Sequence, residues 1–431
     1  MHHVTEGPHL QPARVGDQQF DAQPATSAEA SALLADTIER AHRHSPFFRA
    51  HLDANHVRPN DVRSIDDLPL LPFTSKQHLR QSDTFGWLAV PDKDVVRVHS
   101  SSGTTGRRTV CAYTRVDVDD WADMFARCYA YAGVVPLDRV QIMVGYGLWT
   151  AGAGFQAGAE RLGAMAVPVG PGNLDLQLEV MRDLQTTVIG STSSFALLLA
   201  ETVAESHSRE GLALTRGLIG SERWGEATRR RVHDLLGIST FDIYGLTELW
   251  GPGTGIECDR HDGIHVWTDH YLVEVIDPHT LQPVPEGEVG ELVLTTLTKQ
   301  ATPLLRYRTG DLTSFDGSPC PCGSPFPRIG RIVGRTDDMI KVRGVAMYPA
   351  QVDEVLAAFP GAGPEYQIHV HRERGRDDVA VYVETACPLA EELAAGLQRR
   401  IGIRVDVREV PPMTLPRTDR KTQRVFDHRT Q

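Results

Sequence analysis

The sequence predicts a mixed α/β protein with a large N-terminal domain of layered α/β subdomains and a small α+β C-terminal domain. Three observations indicate this division. A chain of 431 residues is too long to be organised around one hydrophobic core. Between residues 140 and 245, short apolar runs alternate with longer helix-like stretches, which is typical of parallel βαβ units. The last ~95 residues have the length and the mixture of strand-like and helix-like runs of a separate domain.

The predicted elements follow from these runs in chain order. Strands are expected at 140–144, 164–169, 187–189 and 218–219, with helices at 176–184 and 195–206 between them. Strands broken by turns follow at 272–276 and 289–295, and the C-terminal part has strands at 366–371 and 379–384 and a helix at 389–401. We therefore expect a loose arm at 1–25, a large domain at 26–335 with a small β subdomain at about 256–333, and a small domain at 336–431.

Composition excludes several classes of function. The formal net charge is −12 and the basic residues are scattered, so no basic surface for nucleic acid is predicted. No run of roughly 18 apolar residues occurs, which argues against a membrane span and for a cytoplasmic protein.

A run of small and hydroxylated residues predicts a phosphate-binding loop, because glycine lets backbone N–H groups approach phosphate oxygens and hydroxyls add donors. The run is Ser100-Ser101-Ser102-Gly103-Thr104-Thr105-Gly106. By itself it could equally be a turn or linker. Four later motifs favour the phosphate-binding interpretation: Tyr244-Gly245-Leu246-Thr247-Glu248, Tyr307-Arg308-Thr309-Gly310-Asp311-Leu312, Gly334-Arg335-Thr336-Asp337-Asp338 and Pro416-Arg417-Thr418-Asp419-Arg420-Lys421.

In this order the five motifs resemble those of the acyl-adenylate-forming ligases. The resemblance is sharper to phenylacetate-CoA ligases and their relatives, on the segments 71–76, 145–150, 244–258 and 344–349, and it runs from about Leu68 to Val425. It implies an adenylating N-terminal domain and a mobile C-terminal domain that acts as a lid. It also implies ATP, AMP, Mg²⁺ and, as acceptor, coenzyme A.

The resemblance assigns nucleotide-binding and catalytic roles residue by residue. Asp311 would accept the ribose hydroxyls with help from Arg335, Tyr244 would face the adenine, and Asp337 would be the hinge. The full set of nucleotide-binding residues is Ser101, Ser102, Gly103, Thr104, Thr105, Gly106, Glu222, Tyr244, Gly245, Asp311 and Arg335. The catalytic set is Thr247 on the α-phosphate, Glu248 on Mg²⁺ and Lys421, which would reach the carboxylate from the small domain.

The family resemblance also indicates which residues would line the pocket for the acid. Its residues here would be Tyr146, Gly147, Trp149, Phe155, Ser194 and Gly220. Aromatic side chains there suit a flat apolar ring, although Trp149 and Phe155 could equally be packed core. The segments 168–172 and 222–224 depart from the usual pattern of the family, with Arg223 in place of a proline, and both are expected to border the pocket.

Cysteines and histidines with short spacings indicate a structural Zn²⁺ site, because thiolates and imidazoles are the ligands that zinc prefers. The candidates are Cys258, His261, His265, Cys320 and Cys322. The family pattern fits Cys258, His265, Cys320 and Cys322, and leaves His261 as a substitute or a bystander. The alternative is a group of buried cysteines without metal.

The predicted function is ATP-dependent adenylation of an aryl or arylacetic acid with release of pyrophosphate, followed by transfer of the acyl group to coenzyme A. One alternative keeps the adenylation and passes the acyl group to a carrier-protein thiol, an amine or another nucleophile. A second alternative is a non-catalytic nucleotide-binding regulator. Relatives of this short type are often dimers, so a homodimer is a further expectation.

Overall fold

The computed structural model describes residues 22–101, 108–373, 376–416 and 423–429. Within these ranges the α-helices are α1 Ser27–His44, α2 Pro46–Ala54, α3 Lys76–Gln81, α4 Arg115–Tyr131, α5 Ala151–Leu162, α6 Leu174–Asp183, α7 Ser193–Glu205, α8 Glu226–Leu236, α9 Pro349–Ala357 and α10 Ala390–Ile401. Short 3₁₀ turns lie at Pro59–Asp61, Ile65–Leu70 and Asp92–Asp94. None of these helices combines the length and the apolar composition that a bilayer crossing requires.

The strands of the same ranges, in chain order, are β1 Thr74–Ser75, β2 Arg97–Ser100, β3 Val110–Tyr113, β4 Arg139–Ile142, β5 Met165–Val167, β6 Val188–Thr192, β7 Arg216–Gly220, β8 Ser239–Leu246, β9 Gly251–Glu257, β10 Ile264–Val266, β11 Tyr271–Ile276, β12 Gly290–Thr296, β13 Tyr307–Thr313, β14 Phe315–Asp316, β15 Arg328–Ile329, β16 Gly334–Arg335, β17 Ile340–Val342, β18 Val345–Met347, β19 Ala362–Glu373, β20 Arg376–Thr385, β21 Asp406–Val410 and β22 Val425–Asp427. The mixed α/β class and the main predicted strands are confirmed.

A nine-stranded sheet forms the centre of the large N-terminal part, in the order β14-β15-β10-β9-β8-β7-β6-β4-β5. Strands β5, β4, β6, β7 and β8 run parallel, and antiparallel strands extend the sheet beyond β8. Val188 and Leu218 pack in one hydrophobic core, whereas their neighbours Ile189 and Ile219 pack in another. Adjacent residues of a strand point to opposite faces, so helices cover both faces of this sheet.

A second sheet has the order β1-β13-β12-β11, and β16 pairs with β13. The predicted β subdomain is thus divided in space, because β10, β14 and β15 join the nine-stranded sheet while β11 to β13 form the second one. The pairing of β16 with β13 places Arg335 directly opposite Asp311. The second sheet therefore brings two of the predicted nucleotide-binding residues together.

The small C-terminal part has its own sheet, β21-β20-β19-β22, and its own hydrophobic core. Val352 of α9 and Leu397 of α10 pack on Ile368 and Val381 of the sheet, and all four are fully buried. The predicted strands at 366–371 and 379–384 correspond to β19 and β20, and the predicted helix at 389–401 corresponds to α10.

The small part contacts the large one through the segment around α8. The guanidinium of Arg223 forms an ion pair with Asp353 of α9 and lies 3.4 Å from the hydroxyl of Tyr366. Arg230 donates to the carbonyl oxygen of Ala357 at the end of α9. Arg223 belongs to the segment 222–224 that was expected to border the acid pocket; its side chain faces the C-terminal part, where Asp353 compensates its charge.

Candidate functional site

The candidate site lies where the central parallel strands end. Strand β6 leads into α7 through Ser193, β7 ends at Gly220, and β8 ends in the turn that contains Thr247 and Glu248. The carboxyl ends of parallel strands meet at one edge of a sheet, and ligands of open α/β sheets bind at that edge. The topology therefore gathers three sequence segments from between residues 193 and 248 at this edge.

Asp311 is the best-connected residue of the predicted nucleotide pocket. Its Oδ2 accepts a hydrogen bond from the hydroxyl of Tyr244 at 2.7 Å, and its Oδ1 accepts one from Arg335 Nη1 at 2.6 Å. Burial raises the pKa of Asp311, and the Arg335 charge and the Tyr244 hydroxyl oppose that shift. An ionised carboxylate has about four lone-pair sites, so capacity for two ribose hydroxyls remains.

Arg335 connects this pocket to the predicted hinge. Besides its bond to Asp311, it donates from Nε to Asp337 Oδ1 at 2.8 Å and from Nη2 to Asp337 Oδ2 at 3.3 Å. A guanidinium presents its donors in a rigid fork, so one arginine can hold two carboxylates in fixed positions. Asp311, the candidate for binding the ribose, and Asp337, the candidate hinge residue, thus both pair with Arg335.

Glu248 lies at the other end of the site. Its side chain is 3% exposed, and Lys76 Nζ lies 3.1 Å from Glu248 Oε1. Lys76 begins α3, after a segment in which β1 pairs with β13. Lys76 ends the segment 71–76 on which the family resemblance rests, but the sequence assigns it no role, because a lone lysine is normally a solvated surface residue.

A second lysine, Lys299, is fully buried behind the same turn. It donates to the carbonyl oxygen of Leu249 and lies 3.1 Å from that of Glu248, between the rings of Tyr113 and Trp250. Burial lowers the pKa of Lys299 to about 8, despite opposing charges that include Glu248. Lys299 therefore fixes the backbone that presents Glu248, and sequence reasoning missed it.

Gly245 is required by a close approach of two strands. A Cβ atom at this position would clash with the carbonyl oxygen of Gly251 on β9. The glycine therefore lets β9 pack on β8 immediately before Thr247, which is half-buried in the turn. Its structural role accounts for its presence in the motif whether or not the backbone also touches a nucleotide.

The predicted phosphate loop is described at its first residue. Ser101 is buried, donates from its N–H to the Thr109 carbonyl oxygen at 3.0 Å, and accepts from the Thr109 N–H through its hydroxyl at 3.1 Å. These bonds close the base of the loop. Ser102, Gly103, Thr104, Thr105, Gly106 and Lys421 lie outside the described residues, so their roles remain predictions.

The candidates for the acid pocket separate into two groups. Tyr146 is 38% exposed, Gly147 has a left-handed backbone with φ +92°, and Trp149 is half-buried beside Gly145. Burial raises the pKa of Tyr146 to about 12, so its phenol is neutral at pH 7. Phe155 instead lies in the core, 1% exposed and packed on Phe125 with a ring-centroid distance of 4.8 Å.

Ser194 and Glu222 join the ends of β6 and β7. The Ser194 N–H, in the first turn of α7, donates to Glu222 Oε1 at 2.8 Å. Gly220 lets the end of β7 approach β8 closely, since a Cβ atom there would lie 2.5 Å from the Ile243 carbonyl oxygen. The segment 168–172, which departs from the family pattern, faces α6. There the side-chain amide of Gln177 donates to the carbonyl oxygens of Gly170 and Gly172, so these two backbone groups have hydrogen-bond partners.

The structure brings together Cys258, His265, Cys320 and Cys322, whose ligand atoms all lie within 4.8 Å of one another. Cys258 Sγ is 3.8 Å from Cys320 Sγ, and Cys322 Sγ is 3.4 Å from His265 Nε2. His261 does not join this cluster. Its Nδ1 lies 3.4 Å from Glu257 Oε2 and 3.1 Å from Arg229 Nη1.

These distances fit a tetrahedral zinc ion. Zinc–sulfur bonds of about 2.3 Å at tetrahedral angles separate two sulfurs by about 3.8 Å, and a sulfur from a nitrogen by about 3.6 Å. A disulfide is excluded for Cys258 and Cys320, because its sulfurs would be about 2.05 Å apart. His265 Nδ1 lies 2.9 Å from the Phe326 carbonyl oxygen, so the proton resides on Nδ1 and the Nε2 lone pair faces the cysteines.

Comparisons with known proteins agree with this geometry. Residues 22–297 match the AMP-binding enzyme family, and residues 344–429 match the AMP-binding enzyme C-terminal domain. The phenylacetate-coenzyme A ligase of Thermus thermophilus is 43% identical over 92% of this chain and 94% of its own length. That of Escherichia coli K12 is 40% identical over 91% of this chain and 92% of its own.

Solved structures of 2-hydroxyisobutyryl-CoA ligase show similar folds. Its postadenylation state, in complex with R3-HIB-AMP, has a TM-score of 0.88 at 27% identity, covering 98% of this chain and 94% of that one. Its thioesterification state, with 2-HIB-AMP and CoA, has a TM-score of 0.70 at 29% identity, covering 94% and 91%.

The buried lysine gives a testable dependence of stability on pH. The pKa of Lys299 is about 8 in the folded protein against 10.5 ordinarily. Between these values the unfolded chain binds more protons, so the free energy of unfolding rises with pH. The free energy of unfolding of wild type should therefore rise relative to that of Lys299→Met as pH rises from about 8 to about 10.5. The expected rise is at most roughly 1.4 kcal/mol per pH unit. Urea denaturation of both proteins measures this, and a constant difference would contradict the burial of a charged lysine.

Proposed function

The chain belongs to the AMP-binding enzyme family and to its AMP-forming acid–CoA ligases, and we propose that its acid is aromatic, an aryl or arylacetic acid. The observation that carries the nucleotide chemistry is the pair of buried carboxylates, Asp311 and Glu248, each beside a cation. Half-exposed aromatic rings at Tyr146 and Trp149 support the aromatic acid. So does the identity of 38–43% with several phenylacetate-coenzyme A ligases.

In the first half-reaction the acid's carboxylate attacks the α-phosphorus of ATP and pyrophosphate leaves. We propose that Asp311 and Arg335 hold the ribose, and that Thr247 and the loop 101–106 donate to the phosphates. Lys76 adds positive charge near Glu248. Lys421 would complete the site from the small part. Positioned donors of this kind stabilise the charge that develops in the transition state.

A magnesium ion fits the donor set at Glu248, because hard cations bound to phosphates prefer oxygen ligands. We propose that the Glu248 carboxylate would hold it and that Lys299, through the carbonyl oxygens of Glu248 and Leu249, keeps the carboxylate in place. When bound, the ion would neutralise phosphate charge. Lys76, 3.1 Å from Glu248 Oε1, would add positive charge beside it.

The Cys/His cluster is proposed as a structural zinc site. All four expected ligands are protein groups, which is usual for structural rather than catalytic zinc. The ion would connect β10, through His265, to the segment 320–322 that precedes β15. It would therefore support the antiparallel extension of the central sheet and, through it, the β8–β9 pair that carries the Glu248 turn.

The proposed activity is tested by pyrophosphate release over a panel of aryl and arylacetic acids, with and without coenzyme A. We expect acid-dependent release and a thioester that forms when coenzyme A is present. Lys421→Ala should lower adenylation by about a hundredfold or more, as losses of catalytic donors do. It should spare thioester formation from a synthetic aryl-adenylate, and Lys93→Ala, an exposed lysine, is the matched control. Release without thioester would favour a carrier-protein or amine acceptor, and no release with any acid would contradict the proposal.

The zinc proposal predicts one tightly bound zinc ion per chain from this cluster. Metal analysis of protein purified without chelators should find it in wild type, and Cys258→Ser should lose it because a thiolate ligand is removed. Cys387→Ser removes an exposed free cysteine and should retain the metal. Equal zinc in Cys258→Ser and Cys387→Ser would show that the cluster is not the site.

The contact of Arg223 with Asp353 and Tyr366 predicts a bias between the two half-reactions. The fold superposes better on the postadenylation state of 2-hydroxyisobutyryl-CoA ligase, with a TM-score of 0.88, than on its thioesterification state, with a TM-score of 0.70. We propose that the Arg223 contact stabilises the adenylating arrangement and breaks before the acyl transfer.

We expect Arg223→Ala to slow adenylation several-fold and to leave, or raise, the rate of thioester formation from synthetic adenylate. An ion pair of this burial contributes roughly 1 kcal/mol or more, which is about a fivefold change in population. Arg216→Ala, on the neighbouring strand β7, is the matched control. If both half-reactions of Arg223→Ala slow equally, the contact has a general structural role and the bias is refuted.

A further inference from the structure

Three imidazoles meet on the small C-terminal sheet, far along the chain from the zinc candidates. His369 and His371 lie on β19, and His428 follows β22 directly. One ring nitrogen from each lies within 4.8 Å of the other two, and His369 Nδ1 is 3.1 Å from His428 Nε2. The proposed function gives these side chains no task.

The strand geometry explains why the three rings meet. Side chains alternate along a strand, so His369 and His371 share the face opposite to Ile368 and Val370, which are fully buried in the core. Strand β22 runs parallel to β19 with His369 opposite Phe426. His428, two residues further on, therefore emerges on the same outer face.

The surroundings of His369 select one tautomer. His369 Nε2 lies 3.1 Å from the side-chain oxygen of Gln367, which can only accept, so Nε2 carries the proton. The Nδ1 lone pair is then directed at His428. Orientation of an imidazole by a hydrogen bond from its other nitrogen is the usual arrangement behind a metal-ligating histidine.

Ring packing holds the cluster together. His371 stacks on His428 with centroids 4.3 Å apart, and His369 stacks on Phe426 at 4.8 Å and touches the Tyr382 ring at 4.9 Å. His371 is exposed, so its side chain can turn toward a shared ion without disturbing the core. The nearby cation Arg408 is occupied, since it donates to Asp406 at 2.9 Å and to the Tyr382 hydroxyl.

We propose that His369, His371 and His428 bind a divalent transition-metal ion that ties β22 to β19. Three neutral imidazoles favour zinc, nickel or copper over magnesium or calcium, which require oxygen ligands. The pairing of β22 with β19 covers three residue pairs, from Val425 to Asp427, so a cross-link there has a large effect.

The proposal is tested with the full-length chain and Zn²⁺ as the probe. Equilibrium dialysis should show one more bound zinc per chain in wild type than in the double variant His369→Ala/His371→Ala, whatever the cysteine cluster holds. His428→Gln, which keeps a hydrogen-bonding side chain, should also bind one zinc ion per chain fewer than wild type. His279→Ala removes an exposed histidine of a distant loop and should bind as wild type does. Equal stoichiometry in all four proteins would overturn the site.

A second readout tests the cross-link itself. At a zinc concentration about 100 times the dissociation constant, opening of β22 should become about 100-fold rarer, because the ion binds the closed form. Hydrogen exchange of the amides of residues 425–427 should slow accordingly in wild type and in His279→Ala, but not in the double variant. Unchanged exchange in zinc-saturated wild type would overturn the cross-link even if the metal binds.

Discussion

The buried charge of Asp311 is the constraint on which the proposed nucleotide pocket depends. A carboxylate removed from water is costly unless hydrogen bonds and an opposite charge compensate it. Here the compensation comes from Tyr244 on β8 and Arg335 on β16, so the requirement fixes the distance between the central sheet and the second sheet. The remaining lone pairs of the carboxylate are available for the proposed ribose contact, and the bonds from Tyr244 and Arg335 hold the carboxylate in place without a ligand.

The same interaction extends to the boundary between the two parts of the chain. Arg335 also holds Asp337, and the small part that follows contacts the large one through Arg223 and Asp353. Both contacts are ionic and lie at a boundary rather than inside a core. Such contacts can be exchanged for water or a ligand at moderate cost, whereas packed cores resist rearrangement. This difference suits a protein that is proposed to change its domain arrangement between two half-reactions.

Sequence motifs predicted the residues whose chemistry is local and missed those that act through tertiary contacts. Tyr244, Asp311 and Arg335 lie in recognisable motifs, and the family resemblance implied the cluster of Cys258, His265, Cys320 and Cys322 that the structure assembles. Lys76 and Lys299 could not be identified, because nothing near them in sequence shows that one approaches Glu248 and the other is fully buried. The ion pair of Arg223 could not be predicted for the same reason, since its partner Asp353 is 130 residues away.

The most direct test of this account compares the binding of AMP and 2′-deoxy-AMP to wild type and to Asp311→Asn by calorimetry. If Asp311 accepts the ribose hydroxyl, removal of that hydroxyl should weaken binding to wild type by roughly tenfold, the scale of a hydrogen bond to a charged group. In Asp311→Asn the two nucleotides should bind almost equally. An equal loss of affinity in both proteins would show that the hydroxyl is bound elsewhere and that the buried charge does not organise the pocket.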